Sequence, residues 1–124
     1  MIIAAGILAG RRILVVEDQF VIAMDLERVL RLAGGEVIGP VARLKPAMVL
    51  AQNEQFDFAV LDVNLFGEKV FPVADILELR AIPFLLTTGY GESAVPEGRQ
   101  GWRVMGKPYD PDKVRDQIIA TLRN

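Results

Sequence analysis

Ala59-Val60-Leu61 is an apolar run with no polar alternation, and it stops at a carboxylate, Asp62. A half-buried strand alternates apolar and polar residues, so an unbroken run reads as a strand covered on both faces. Such strands belong to parallel sheets flanked by helices, where ligands collect beyond the carboxyl ends of the strands. Asp62 stands at that end. An acid leaving a strand is commonly a turn former or a helix cap, so its meaning depends on what the other strands bring to the same edge.

The rest of the chain repeats the pattern. Ile13-Leu14-Val15-Val16 is a second apolar run, and it ends in Glu17-Asp18. From Gln19 to Leu32 the residues Ile22, Leu26, Val29 and Leu30 recur at helical spacing, and Gly34-Gly35 close the helix. Val37-Ile38 predicts a short strand, and residues 46–52 a helix with Pro46 in its first turn. After Asp62 come a turn at Gly67 and a helix from about Val70 to Leu79, with Pro72 near its start. Phe84-Leu85-Leu86-Thr87-Thr88 is the fourth strand, Arg103-Val104-Met105 the last, and Asp110 is placed to cap a final helix through Leu122. Strand and helix alternate, which predicts an α/β fold, a doubly wound parallel sheet with helices on both faces. The stretch from Gly89 to Gly101 breaks the pattern. It carries Gly89, Gly91, Pro96, Gly98 and Gly101 without a helical apolar stripe, and predicts a mobile loop where a crossover helix is normally needed.

Composition narrows the chemistry by subtraction. The chain has 124 residues, enough for one domain, and a net charge of −2, which gives no basic field for nucleic acid or an anionic membrane. It contains no Cys and no His, which removes disulfides, thiolate and imidazole metal sites, and the usual general base. Carboxylates, hydroxyls, lysine and backbone amides remain. Residues 1–11 read as an apolar leader, poorly ordered or loosely docked, and residues 12–124 as the folded domain. The leader is too short to span a bilayer and lacks the basic start of a signal peptide, so the chain is expected to be cytoplasmic.

The strand ends now converge. The first brings Glu17 and Asp18, the third Asp62, the fourth Thr88, and the fifth Lys107 followed by Pro108. Three carboxylates in one pocket repel unless a cation sits among them. Oxygen donors alone suit a hard divalent ion, Mg2+ before Mn2+ or Ca2+. A carboxylate can act as a nucleophile toward phosphorus, and phosphoryl transfer needs positioning and charge neutralisation more than acid–base groups. Lys107 and the Thr88 hydroxyl could each meet a phosphoryl oxygen. Glu17-Asp18 could instead merely cap the following helix, Lys107 could be a surface lysine, and Thr87 is a rival to Thr88 that strand alternation sends to the other face. Trp102 reads as packing.

The set Glu17-Asp18, Asp62, Thr88 and Lys107-Pro108, in that order and on those elements, resembles the receiver domain of two-component response regulators, over roughly residues 12–123. The resemblance implies a five-stranded parallel sheet in flavodoxin-like order 2-1-3-4-5. It implies Asp62 as phosphoacceptor, Asp18 as a direct Mg2+ ligand, Glu17 as a ligand through water, and the Asn64 carbonyl as a further ligand. It also implies Thr88 as the switch hydroxyl, Lys107 as the phosphoryl contact, and a cis peptide before Pro108. Pro83-Phe84-Leu85-Leu86-Thr87-Thr88-Gly89-Tyr90-Gly91 further resembles the FAT GUY group of single-domain receivers, with Leu86-Thr87 where Phe-Ala would stand. That group often has a degraded fourth helix and pairs with HWE-type histidine kinases. The usual aromatic switch position falls at Val104, and Tyr90 is the candidate replacement. The expected partners are a histidine kinase or phosphotransferase and a downstream protein target, with no nucleic acid and no membrane, and the apolar leader is compatible with a homodimer. The alternatives are a receiver fragment of a hybrid histidine kinase, a pseudo-receiver that only binds, or a Mg2+-dependent aspartyl phosphatase. The last normally carries Asp-X-Asp after its first strand, whereas Asp62-Val63-Asn64 follows the third and lacks the second acid.

Overall fold

The computed structural model describes residues 6–89, 95–96, 98–99 and 101–123. Five parallel strands form one sheet: β1 (Arg12–Val16), β2 (Glu36–Val41), β3 (Phe58–Asp62), β4 (Phe84–Thr88) and β5 (Arg103–Gly106). Their spatial order is β2-β1-β3-β4-β5. The described helices are α1 (Phe20–Leu32), α2 (Leu44–Asn53), α3 (Phe71–Leu79) and α4 (Pro111–Leu122). None of them lies between β4 and β5, and much of the Gly89–Gly101 segment, Tyr90 included, falls outside the described residues.

The unalternating runs have a direct cause. Ile13, Val15, Phe58 and Val60 enter one core with Leu26 and Leu30 of α1 and Val114 and Ile118 of α4. Leu14, Val16, Ala59 and Leu61 enter a second core with Ala47 and Ala51 of α2 and Val73, Ala74 and Leu77 of α3. Every residue of β3 is buried, so both faces of the strand must be apolar until Asp62. The registers Val16↔Leu61, Leu61↔Leu86 and Thr88↔Gly106 bring the strand ends to one edge. Asp110 caps α4 by accepting from the Asp112 amide at 2.9 Å, as its position predicts.

Three features depart from the sequence reading. β2 runs over six residues instead of two, and it is an edge strand, which accommodates Pro40 because a missing N–H there need not break a ladder. The turn at Gly67 is a small antiparallel hairpin in which Asn64–Leu65 pairs with Glu68–Lys69. Residues 6–11 of the leader are docked. Leu8 is buried in the α1–α4 core, and its amide donates to the Ala33 carbonyl at 2.8 Å. Gly34 permits this, since it sits at φ +94 and a Cβ there would come within 2.9 Å of the Gly6 Cα. Leu8→Ala is therefore expected to lower stability by about 2 kcal/mol, read as a shifted urea midpoint with an unchanged slope.

Trp102 is a packing residue. Its ring meets Phe84 edge-on at 5.3 Å and Phe71 at 6.2 Å, and its Nε1 donates to Glu78 at 2.8 Å.

Candidate functional site

The carboxyl edge of the sheet carries a cavity of about 240 Å3 lined by Asp18, Gln19, Asp62, Asn64, Thr88, Gly89 and Lys107. β1 ends at Val16, so Glu17 and Asp18 leave the sheet where α1 is about to begin, and β3 delivers Asp62 beside them. One oxygen from each of Glu17, Asp18 and Asp62 lies within 4.8 Å of the others. The Lys107 ammonium reaches in after β5 and contacts Glu17 Oε1 and Asp62 Oδ2, each at 3.0 Å. It also donates to the Gln19 side-chain oxygen at 3.4 Å. The peptide between Lys107 and Pro108 is cis, as the resemblance implies.

The acids are not equivalent. Glu17 is buried and also accepts from the Gln19 amide at 3.0 Å, so it is held in place on two sides. Asp62 is buried too, and its Oδ1 faces the Asn64 amide at 3.4 Å. Asp18 is half-buried, and its contact is with the Phe66 amide at 3.0 Å instead of with the lysine. Three carboxylates face one ammonium, which leaves the pocket with excess negative charge in a poorly solvated place.

That imbalance shows in the protonation of Asp62. Burial, followed by the hydrogen bond and charge of Glu17, outweighs the pull of Lys107 and raises the Asp62 pKa from 3.8 to about 7. Burial pulls the Lys107 ammonium down, but Glu17 and Asp62 more than offset this, and its pKa is raised. The folded chain thus holds the Asp62 proton more tightly than the unfolded chain. Its contribution to stability is present below the ordinary carboxylate pKa and is lost as pH rises toward about 7. A divalent cation requires the deprotonated acid, so its affinity is expected to rise about tenfold between pH 6 and pH 8. Calorimetric titration with Mg2+ at the two pH values checks this.

Thr88, and not Thr87, lines the cavity. The Thr87 hydroxyl is buried with no hydrogen-bond partner among the described residues, as expected of a neighbour turned to the other face. The edge thus brings together Glu17, Asp18, Asp62, Asn64, Thr88 and Lys107. Val104 is half-buried on β5, and Tyr90, its candidate replacement as the switch aromatic, lies outside the described residues. Two participants are not apparent from residue type alone. Gln19 reads as the start of a helix, and Phe66 contributes a backbone amide, which carries no sequence signal.

The donor set fits a hard divalent cation, because it offers clustered carboxylate oxygens and no softer ligand. Sheet order, a buried acid ending β3, the acidic pair and the lysine together define a receiver-type α/β domain. Comparison with known proteins agrees. The chain is 35% identical to SdrG from Sphingomonas melonis Fr1, with a TM-score of 0.75, and the likeness covers 92% of this chain and 98% of that one. It matches the response regulator PhyR from Brucella abortus at 27% identity and a TM-score of 0.80, over 98% of this chain and 51% of that one. It shares the fold of the receiver domain of the sensor histidine kinase PA1611 from Pseudomonas aeruginosa, solved with magnesium in its active-site cleft, at 22% identity and a TM-score of 0.75, over 94% of this chain and 100% of that one. Among curated proteins it is 27% identical over 111 residues to the transcriptional regulatory protein PdtaR from Mycobacterium tuberculosis, covering 89% of this chain and 54% of PdtaR. The chain spans about half the length of the curated relatives it matches. No family model matches it. The chain belongs to the receiver domains of response regulators, the signalling domains of two-component systems. No helix among the described residues is long and apolar enough to cross a membrane.

Proposed function

We propose that this domain accepts a phosphoryl group on Asp62 from a histidine kinase or phosphotransferase and signals through a changed protein–protein contact. One observation carries the reading: the Lys107 ammonium lies 3.0 Å from Asp62 Oδ2, with Glu17 and Asp18 clustered beside it. Such an edge holds a nucleophile, a fixed cation and the oxygen donors for a mobile one. Asp18 and Asp62 would ligate Mg2+, Glu17 would act through water, and the Asn64 carbonyl would complete the protein's share. The ion, when bound, would neutralise charge on the phosphoryl oxygens.

An Asp62 oxygen forms the new P–O bond as the donor's P–N bond breaks, and the donor histidine nitrogen keeps the electron pair. The donor histidine would lie outside these 124 residues, which contain none. Lys107 already pairs with the acceptor carboxylate and would follow the charge onto the phosphoryl group. The added group brings about −1.5 to −2 charges at pH 7. Thr88 lines the same cavity, and its hydroxyl would answer that charge and draw on the segment that follows β4. Tyr90 in that segment is the proposed aromatic partner, and an HWE-type kinase the proposed donor. Hydrolysis of the aspartyl phosphate would reset the domain, which works as a phosphoacceptor and not as an enzyme acting on separate substrates.

Intact mass spectrometry after incubation with acetyl phosphate and Mg2+ tests this reading. One added phosphoryl group is expected, absent when a chelator replaces the metal. If no adduct forms, and beryllofluoride leaves the amide spectrum around Thr88 unchanged, the domain does not work by phosphorylation.

A further inference from the structure

The hairpin after β3 is tied to Asp18 through Phe66. The Phe66 amide donates to Asp18 Oδ2 at 3.0 Å. Phe66 sits at φ +51, a left-handed conformation that is uncommon for any residue other than glycine and an outlier for a bulky one. Phe66 is 56% exposed, and the centre of its ring lies 4.5 Å from the guanidinium of Arg43, the residue that precedes α2. The backbone of Phe66 therefore faces a candidate metal ligand, while its side chain stands on the outer surface against a different element.

The other two acids of the cluster are steered by Lys107, and Asp18 is not. Asp18 Oδ2 instead accepts from the Phe66 N–H. With Oδ2 engaged there, Asp18 still brings an oxygen within 4.8 Å of Glu17 and Asp62. A donor to a ligating carboxylate fixes its orientation and tunes its basicity.

We propose that the Phe66 N–H is the positioning group for Asp18, and that the same bond carries cation occupancy from the pocket to the Phe66–Arg43 pair on the surface. This rests on the reading of the pocket as a divalent-cation site. A cation on Asp18 withdraws electron density from the carboxylate and weakens it as an acceptor, so the Phe66 amide proton should move upfield. Arg43, stacked on the same residue, should respond in step.

The test is a 1H–15N NMR titration of the whole chain with MgCl2, following the amides of Gln19 and Val63 as pocket reporters, Phe66 as the relay, and the Arg43 side-chain Nε–H. Saturable shifts of the pocket reporters and of Phe66 and Arg43, with one dissociation constant, support the proposal. Pocket reporters that shift while Phe66 and Arg43 stay still would overturn it and leave the cation site standing. No saturable shift anywhere would remove the cation reading itself, and the proposal with it. Phe66→Gly keeps the N–H and relieves the backbone, and should hold Mg2+ within about threefold of the parent. Replacing the Phe66 amide by an ester, with phenyllactate introduced at position 66, removes the N–H while keeping the ring and the backbone path, and should weaken Mg2+ by about tenfold or more, with amides beyond residues 62–70 unchanged. Equal affinity in that folded variant contradicts the positioning role. Should the ester variant not fold, the titration of the parent chain still decides.

Discussion

Asp62→Asn is expected to abolish phosphoryl uptake and, in the absence of divalent cations, to make the fold more stable at pH 8. Both effects come from the same crowding. Asn offers no anionic oxygen to phosphorus, so no acyl phosphate can form. Structurally it resembles the protonated acid, which is the form the buried pocket prefers up to about pH 7. At pH 8 the parent holds three ionised carboxylates around one ammonium and the variant holds two, so the variant carries less uncompensated charge. Near pH 5 the parent has taken up a proton on Asp62 and the difference should shrink. Urea melts at pH 5 and pH 8 with a chelator present measure it. A variant that is destabilised equally at both values would show that Asp62 is held by packing and not by charge.

Lys107→Met should act in the opposite direction on stability. Lys107 is the cation shared by two buried acids, contacting Glu17 and Asp62 at 3.0 Å each. Removing one partner of a buried ion pair leaves uncompensated charge, at a cost of about 3 kcal/mol at pH 8. The loss should be smaller near pH 5, where a proton on Asp62 stands in for the ammonium, and Mg2+ should restore part of it at pH 8 by binding the folded state. Phosphoryl uptake should also slow, because the fixed positive charge next to the entering oxygens is gone. Retained stability at pH 8 together with unaltered uptake would show that the lysine is a bystander.

The sheet was legible because burial on both faces leaves a plain mark. Ile13-Leu14-Val15-Val16 and Ala59-Val60-Leu61 feed two cores alternately, and no polar residue can interrupt them. The residues that meet at the candidate site were legible for a related reason. An acid directly after such a run, as at Glu17-Asp18 and Asp62, stands where solvation changes abruptly, whereas Lys107-Pro108 follows a half-buried edge strand and was legible from its place after the last strand. What was missed depends on the backbone or on distant contacts. The Phe66 N–H reaches Asp18 across 48 positions, and any residue type would present the same amide. Leu8 falls in the leader read as poorly ordered or loosely docked, because its burial depends on the Gly34 turn at the far end of α1. The full length of β2 was hidden by Gly39-Pro40, which reads as a breaker unless the strand is known to lie at the sheet edge.

The most direct test of the central claim is to find where the phosphoryl group goes. After reaction with acetyl phosphate and Mg2+, borohydride reduction converts an aspartyl phosphate to homoserine, which peptide mass spectrometry can place. The account predicts homoserine at residue 62 alone. Reduction at Asp18 or Glu17, or none in a chain that demonstrably binds Mg2+, would contradict it.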